Sequence, residues 1–222
     1  MSRRPSYRLL AVVLAAGLFA SGCSSSSFLG RQWENFSAYY NTFYNARQSF
    51  EQAEQSIVEG SEQIDRSVYI SVFPEPSQSV QRGPLQSAIK KSATLLREHP
   101  NSKYVEDALI LIGKSYYYQE NFAGAEQKFR EVISLQEERT DEARLWLART
   151  LKATGAHEPA ITLLEERLST NDPNEDWFPR LRLMLGELYV SAGQWDQAVQ
   201  AMETVLEEVD EDRVGARGRF LL

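Results

Sequence analysis

The chain has 222 residues, 42% of them hydrophobic and 25% charged, which fits one or two folded domains. Its net charge is −7. Taking Arg3, Arg4 and Arg8 out of the 24 basic side chains, because they lie in a segment expected to be removed, leaves 21 against 31 acidic ones, a net −10. That balance excludes a nucleic-acid surface built on a basic stripe, and the single cysteine, Cys23, excludes an internal disulfide or a cysteine-based metal site.

Residues 1–22 read as an export signal. Arg3, Arg4 and Arg8 make a positive start, and Leu9–Ala20 is an unbroken run of apolar residues and glycine. As a helix that run would rise about 18 Å, short of a ~30 Å hydrocarbon core, so a secretory segment fits and a stable span does not. The run ends in Ala20-Ser21-Gly22-Cys23. Small side chains there admit extended backbone to a peptidase cleft, and the Cys23 thiol is a nucleophile able to accept a lipid. The tetrapeptide resembles the lipobox of bacterial lipoproteins, with Ala20 where that family usually has Leu. The resemblance implies cleavage between Gly22 and Cys23 and two acyl chains on the sulfur with one on the new amino terminus. Burying acyl chains contributes about 0.8 kcal/mol per CH₂. Residues 23–30, with Ser24–Ser27, form a flexible tether. Ser24 in place of Asp implies sorting to the outer membrane.

Residues 31–101 are expected to form an N-terminal helical segment. Trp33, Phe36, Tyr40, Phe43, Tyr44 and Phe50 recur at three- and four-residue steps, predicting one long aromatic-rich helix over 31–60 whose stripe serves packing. Residues 67–83 break that pattern, since Pro74 and Pro76 exclude a helix. Gly83-Pro84 opens a second helix, which runs to about Glu98.

From 102 to 209 three helix pairs are expected, roughly 103–119 with 122–136, 141–154 with 158–169, and 177–192 with 195–208. Their turns read Gln119-Glu120-Asn121-Phe122-Ala123-Gly124-Ala125, Thr154-Gly155-Ala156-His157-Glu158-Pro159-Ala160 and Ala192-Gly193-Gln194-Trp195-Asp196-Gln197-Ala198. The closing alanines are 35 and 38 residues apart, a period that marks a two-helix unit stacking on its neighbours. Gly113, Ala148 and Gly186, with Ala125, Ala160 and Ala198, are small where helices must approach closely. The bulky residues between them, Trp195 included, are expected to fill the remaining space. The stretch 210–222 reads as the opening of a further, truncated repeat, and the apolar Phe220-Leu221-Leu222 end leads us to expect a fragment of a longer chain.

These residues resemble the tetratricopeptide repeat (TPR), which implies an all-α helix-hairpin solenoid wound as a right-handed superhelix. A narrower resemblance rests on Asn35–Ala46, Val72-Phe73-Pro74 and Asp107–Tyr118. It is to the TPR lipoproteins of gliding motility and type IX secretion (SprE/PorW-like). The phrase His99–Ala108 is similar to the TPR lipoprotein of the barrel-assembly machinery. The TPR resemblance implies a concave face lined by the first helix of each pair. Asp107, Ile110, Lys114, Tyr117 and Tyr118 would come from the first pair, Glu142, Leu145, Arg149 and Lys152 from the second, and Leu183, Glu187 and Val190 from the third. Lys114, Arg149 and Lys152 would offer a basic strip to an acidic peptide segment, with Tyr117 and Tyr118 exposed as hot spots.

No catalytic constellation, metal site or cofactor motif appears in the sequence. His99 and His157 sit in inter-helix turns, and the acidic run Glu203–Asp212 lacks the alternating oxygen ligands of a calcium loop. The expectation is a non-enzymatic scaffold, without cofactor, binding protein partners and anchored through lipid to the outer membrane facing the periplasm. It would serve in outer-membrane assembly, secretion or gliding machinery. Two alternatives stay open: the N-terminal part of a longer envelope enzyme, and a glycan- or peptidoglycan-binding module using the aromatic helix.

Overall fold

The three sequence turns share one backbone geometry. The amide of Asn121 donates to the Tyr116 carbonyl, that of Ala156 to Leu151 and that of Gln194 to Tyr189, at 2.8–2.9 Å. Each closes a six-residue helix end of the Schellman type, which needs one left-handed residue. Gly155 (φ 77°) and Gly193 (φ 74°) take that place freely, whereas Glu120 (φ 62°) takes it with a Cβ. Asn121 then caps the following helix by accepting from the Gly124 amide at 3.2 Å.

The computed structural model describes residues 42–60, 71–76, 81–170 and 176–206, with positions 32, 35 and 36. Among these the chain forms eight bounded helices and no strand. They are α1 (Tyr44–Gly60), α2 (Arg82–Glu98), α3 (Val105–Tyr118), α4 (Phe122–Leu135), α5 (Thr140–Ala153), α6 (His157–Leu168), α7 (Phe178–Ser191) and α8 (Trp195–Leu206). The export signal and Cys23, the Ser tether, most of 31–41 and the stretch 210–222 lie outside the described residues.

Within each pair a small residue meets a large one. A Cβ added to Gly113 would stand 2.5 Å from the Phe129 ring, and one added to Gly186 would stand 2.7 Å from Met202. The equivalent positions of the middle pair, Ala148 and Leu164, are both fully buried. Between pairs, Phe129 stacks on Trp146 with centroids 6.1 Å apart, and the Arg167 guanidinium lies 4.6 Å from the Phe178 ring; within the middle pair Arg167 also grips Asp141 through Nε and Nη2 at 2.8 and 2.7 Å. Ala125, Ala160 and Ala198 are buried at the crossings.

The N-terminal helices form no separate unit. Lys91 donates to the Asn45 carbonyl and to Ser49 Oγ, and Ser49 meets Ser87, an antiparallel register for α1 and α2. Phe43 stacks on Tyr104, and Phe50 leans on Tyr118. The pair α1–α2 therefore precedes α3–α4 as a further hairpin of the same stack. The aromatic stripe is split by this docking: Phe43 and Phe50 are buried, while Phe36 and Tyr44 are exposed. Trp195 is 64% exposed, against the expectation that it fills space. Its counterpart Phe122 packs on Tyr117 at 5.9 Å, but no described element follows α8 to cover Trp195.

Candidate functional site

The first helices α1, α3, α5 and α7 line one face of the stack, and residues 71–76 of the connection between α1 and α2 lie against α5 and α7. Residues Ser71–Pro76 of that connection carry no helix. Pro74 and Pro76 cannot donate a backbone hydrogen bond, so the segment is held by its carbonyls and side chains. Val72 and Phe73 are buried, and the Pro74 carbonyl accepts from Arg149 Nη2. Ser71 Oγ donates to Glu187 Oε1. Lys152 Nζ reaches Glu187 Oε1 at 2.7 Å and Glu75 Oε1 at 2.8 Å. Residues 71–76 thus touch α5 and α7 through five polar side chains, Ser71, Glu75, Arg149, Lys152 and Glu187.

Arg149 is the centre of the arrangement. Its guanidinium carbon is 3.7 Å from the Trp146 ring centroid, 4.9 Å from Tyr117 and 5.4 Å from Phe73. Such contacts are attractive because the ring faces are electron-rich, and more so away from water. Burial pulls the Arg149 pKa down, but the phenols of Tyr117 and Tyr118 and the Glu187 carboxylate outweigh it, so the group stays charged. Burial also lifts the Tyr117 phenol above its ordinary value. For Lys152, too, burial is outweighed by Glu187 and Glu75, and its pKa is raised. Two buried polar atoms are left over: Arg149 Nε and Glu187 Oε2 have no hydrogen-bond partner. Beside the segment lies an open cavity of about 450 Å³ that continues to Glu120, His157 and Ser191.

The other end of the face is covered by α1. Phe43, Phe50, Glu54 and Tyr104 bound a cavity of about 460 Å³ with Asp107, Lys114, Arg139 and Glu142. Lys114 pairs with Glu142 at 2.6 Å and lies 4.9 Å from the Trp146 ring, and Arg139 pairs with both Glu142 and Asp107. Burial alone would raise the Glu142 carboxyl, but Lys114 and Arg139 hold it below its ordinary value. Glu106 is pushed up by burial, although its carboxylate accepts from the Arg139 amide.

Most of the groove residues named from sequence do sit along this face, but not as an open surface. Tyr117 and Tyr118, expected to be exposed, are 3% and 5% exposed. Ile110, Leu145, Arg149, Leu183 and Glu187 are buried as well. Asp107, Lys114, Lys152 and Val190 are partly buried. The expected free basic strip is also corrected: Lys114 and Lys152 face carboxylates of the same chain, and Arg149 faces the Pro74 carbonyl. The cause is Ser71–Pro76, which occupies the groove beside α5 and α7, together with α1 at the other end. Trp146, Phe73, Ser71 and Glu75 were missed as groove residues. The signal available for the last three was an apolar pair set among prolines, Val72-Phe73-Pro74-Glu75-Pro76, the pattern of an extended docked segment.

Among the described residues, no group of three His, Cys, Asp or Glu side chains is placed to hold a metal. None of the described helices is long and apolar enough to cross a membrane. A stack of paired helices with a lined inner face defines an α-helical repeat protein. Residues 9–220 match the family described as the Tetratricopeptide repeat-like domain, and the chain belongs to that family. Domains of this type generally act as non-catalytic scaffolds that bind other proteins. Eleven chains of solved structures are similar. One of them, a crystal structure of MamA, shares 23% identity over 57% of this chain and 69% of that chain, with a TM-score of 0.46. No curated protein matches the chain.

Proposed function

We propose that the protein is a lipid-anchored scaffold of the bacterial cell envelope that holds extended segments of partner proteins in its concave groove. The observation that carries the groove reading is Ser71–Pro76 itself. A non-helical stretch of polypeptide already lies there, gripped at a backbone carbonyl by Arg149 and at a carboxylate by Lys152. Side chains that hold one such segment have the chemistry to hold another. The anchor reading rests on the Leu9–Ala20 apolar run and the Ala20-Ser21-Gly22-Cys23 sequence that follows it. An anchor confines the groove to a surface and raises the effective concentration of membrane-bound partners. The narrower resemblance to secretion and gliding lipoproteins makes that machinery, or outer-membrane assembly, the setting we favour.

Two experiments test this. Cys23→Ser should leave the protein folded and move it from the membrane fraction to the soluble one; unchanged membrane retention would end the anchor reading. A photo-crosslinking residue at Glu120, exposed at the cavity rim, should capture discrete protein adducts in native envelopes. Their complete absence would end the groove reading.

A further inference from the structure

Resting on the groove reading above, we propose that Ser71–Pro76 is a tethered stand-in for the partner. The groove would take an extended peptide with an aromatic–Pro–acidic core, and that peptide gains access by displacing 71–76. Three features of the site point this way. The internal segment meets the groove as a ligand does: Phe73 beside the Arg149 guanidinium, the Pro74 carbonyl on Arg149, and the Glu75 carboxylate on Lys152. Its fit is incomplete, since Arg149 Nε and Glu187 Oε2 are buried in the groove with no partner. An unpaired buried polar atom costs about 1–3 kcal/mol, so an occupant that reached both would hold on better. The segment also leaves the neighbouring cavity, about 450 Å³, unfilled toward Glu120 and Ser191, enough for further residues of a longer peptide.

The charges argue for an acidic occupant. Arg149 and Lys152 bring two positive charges to the groove, and Glu187 supplies one buried negative charge there. Glu75, the most exposed member of the set, completes the balance. A displacing segment without a carboxylate would leave Lys152 with Glu187 alone. Tethering lowers the apparent affinity for an outside peptide by the fraction of time the groove stands open, so weakening the tethered segment must strengthen outside binding.

The test uses the full chain and a fluorescent peptide copying residues 69–78. Binding is read by anisotropy to the wild type, to Phe73→Ala and to Glu75→Ala, with unfolding curves run alongside. The expected result is at least about tenfold tighter binding to the variants than to the wild type. A peptide with Lys in place of its Glu should bind at least about tenfold more weakly. If Phe73→Ala fails to fold, the comparison with Glu75→Ala decides alone, because that side chain is largely solvent-exposed. Equal binding to wild type and variants, or no binding to any, overturns the proposal. The Glu120 crosslink separates this failure from that of the groove reading. Envelope adducts whose yield is unchanged by Glu75→Ala would leave the scaffold standing without displacement. Loss of adducts in every form would remove the scaffold too.

Discussion

The joints inside each helix pair and the groove along the first helices are built from different physics. At the joints, shape decides: Gly113 admits Phe129 and Gly186 admits Met202. In the groove, charge and hydrogen bonding decide. Arg149, Lys152 and Glu187 hold Ser71–Pro76, and two of their polar atoms stay unmatched. Close-packed joints lose energy with any change of volume and have one arrangement. Paired charges beside an open cavity can exchange one partner for another at modest cost. The molecule is thus close-packed where it stacks and polar along the groove.

This contrast can be broken at either end. The largest effect should come from the joints. Phe129→Ala removes a fully buried ring that fills the space beside Gly113 and stacks on Trp146, and should cost about 3–5 kcal/mol in urea unfolding. Lys152→Ala should cost about 3 kcal/mol, because Glu187, 1% exposed, would lose its ion-pair partner and retain Ser71 as its hydrogen-bond partner. Gly113→Ala should lose about 1–3 kcal/mol, despite alanine's better helix propensity, because the new Cβ meets the Phe129 ring. Gly83→Ala, with nothing within 4 Å of the new Cβ, should be neutral or slightly stabilising, and a loss as large as at Gly113 would refute the shape argument.

Acid sharpens the comparison from the polar side. The Glu142 carboxyl lies below its ordinary 4.5, with burial outweighed by Lys114 and Arg139, and Asp141 lies below its ordinary 3.8, with burial outweighed by Arg167 and Arg144. Their contribution is present above those ordinary values, and it is lost as the pH falls through the lower folded-state values, since the unfolded chain then binds more protons. Glu106, raised by burial, runs the other way and offsets part of the loss. Glu142→Gln should therefore flatten the fall in stability below pH 4.5. A slope unchanged from the wild type would show that the Lys114–Glu142–Arg139 cluster contributes little. A small gain is expected at Glu120, whose left-handed φ of 62° Gly would adopt freely; Glu120→Gly should stabilise by about 1 kcal/mol or less.

The stack was legible because its rules are local. The turns at Glu120, Gly155 and Gly193 and the Gly113 and Gly186 contacts are each written within one repeat, and the 35- and 38-residue spacings link one repeat to the next. The groove residues were legible in place but not in state. Arg149 and Lys152 fall on the right helix face by periodicity, yet their partners Pro74 and Glu75 lie more than 70 positions earlier. No periodic signal crosses that distance, so the strip read as open. The same gap hid the role of α1, whose aromatic stripe announced burial without saying that it would be against Tyr104 and Tyr118.

The central claim, that the chain's own segment occupies the concave groove, is tested most directly by zero-length carbodiimide coupling of the full-length protein, read by mass spectrometry on the monomer. Lys152 and Glu75, 2.8 Å apart, should be recovered joined by an amide bond, at a yield comparable to the Lys128–Glu131 pair at 2.7 Å. Recovery of the Lys128–Glu131 link without any Glu75–Lys152 link would contradict it.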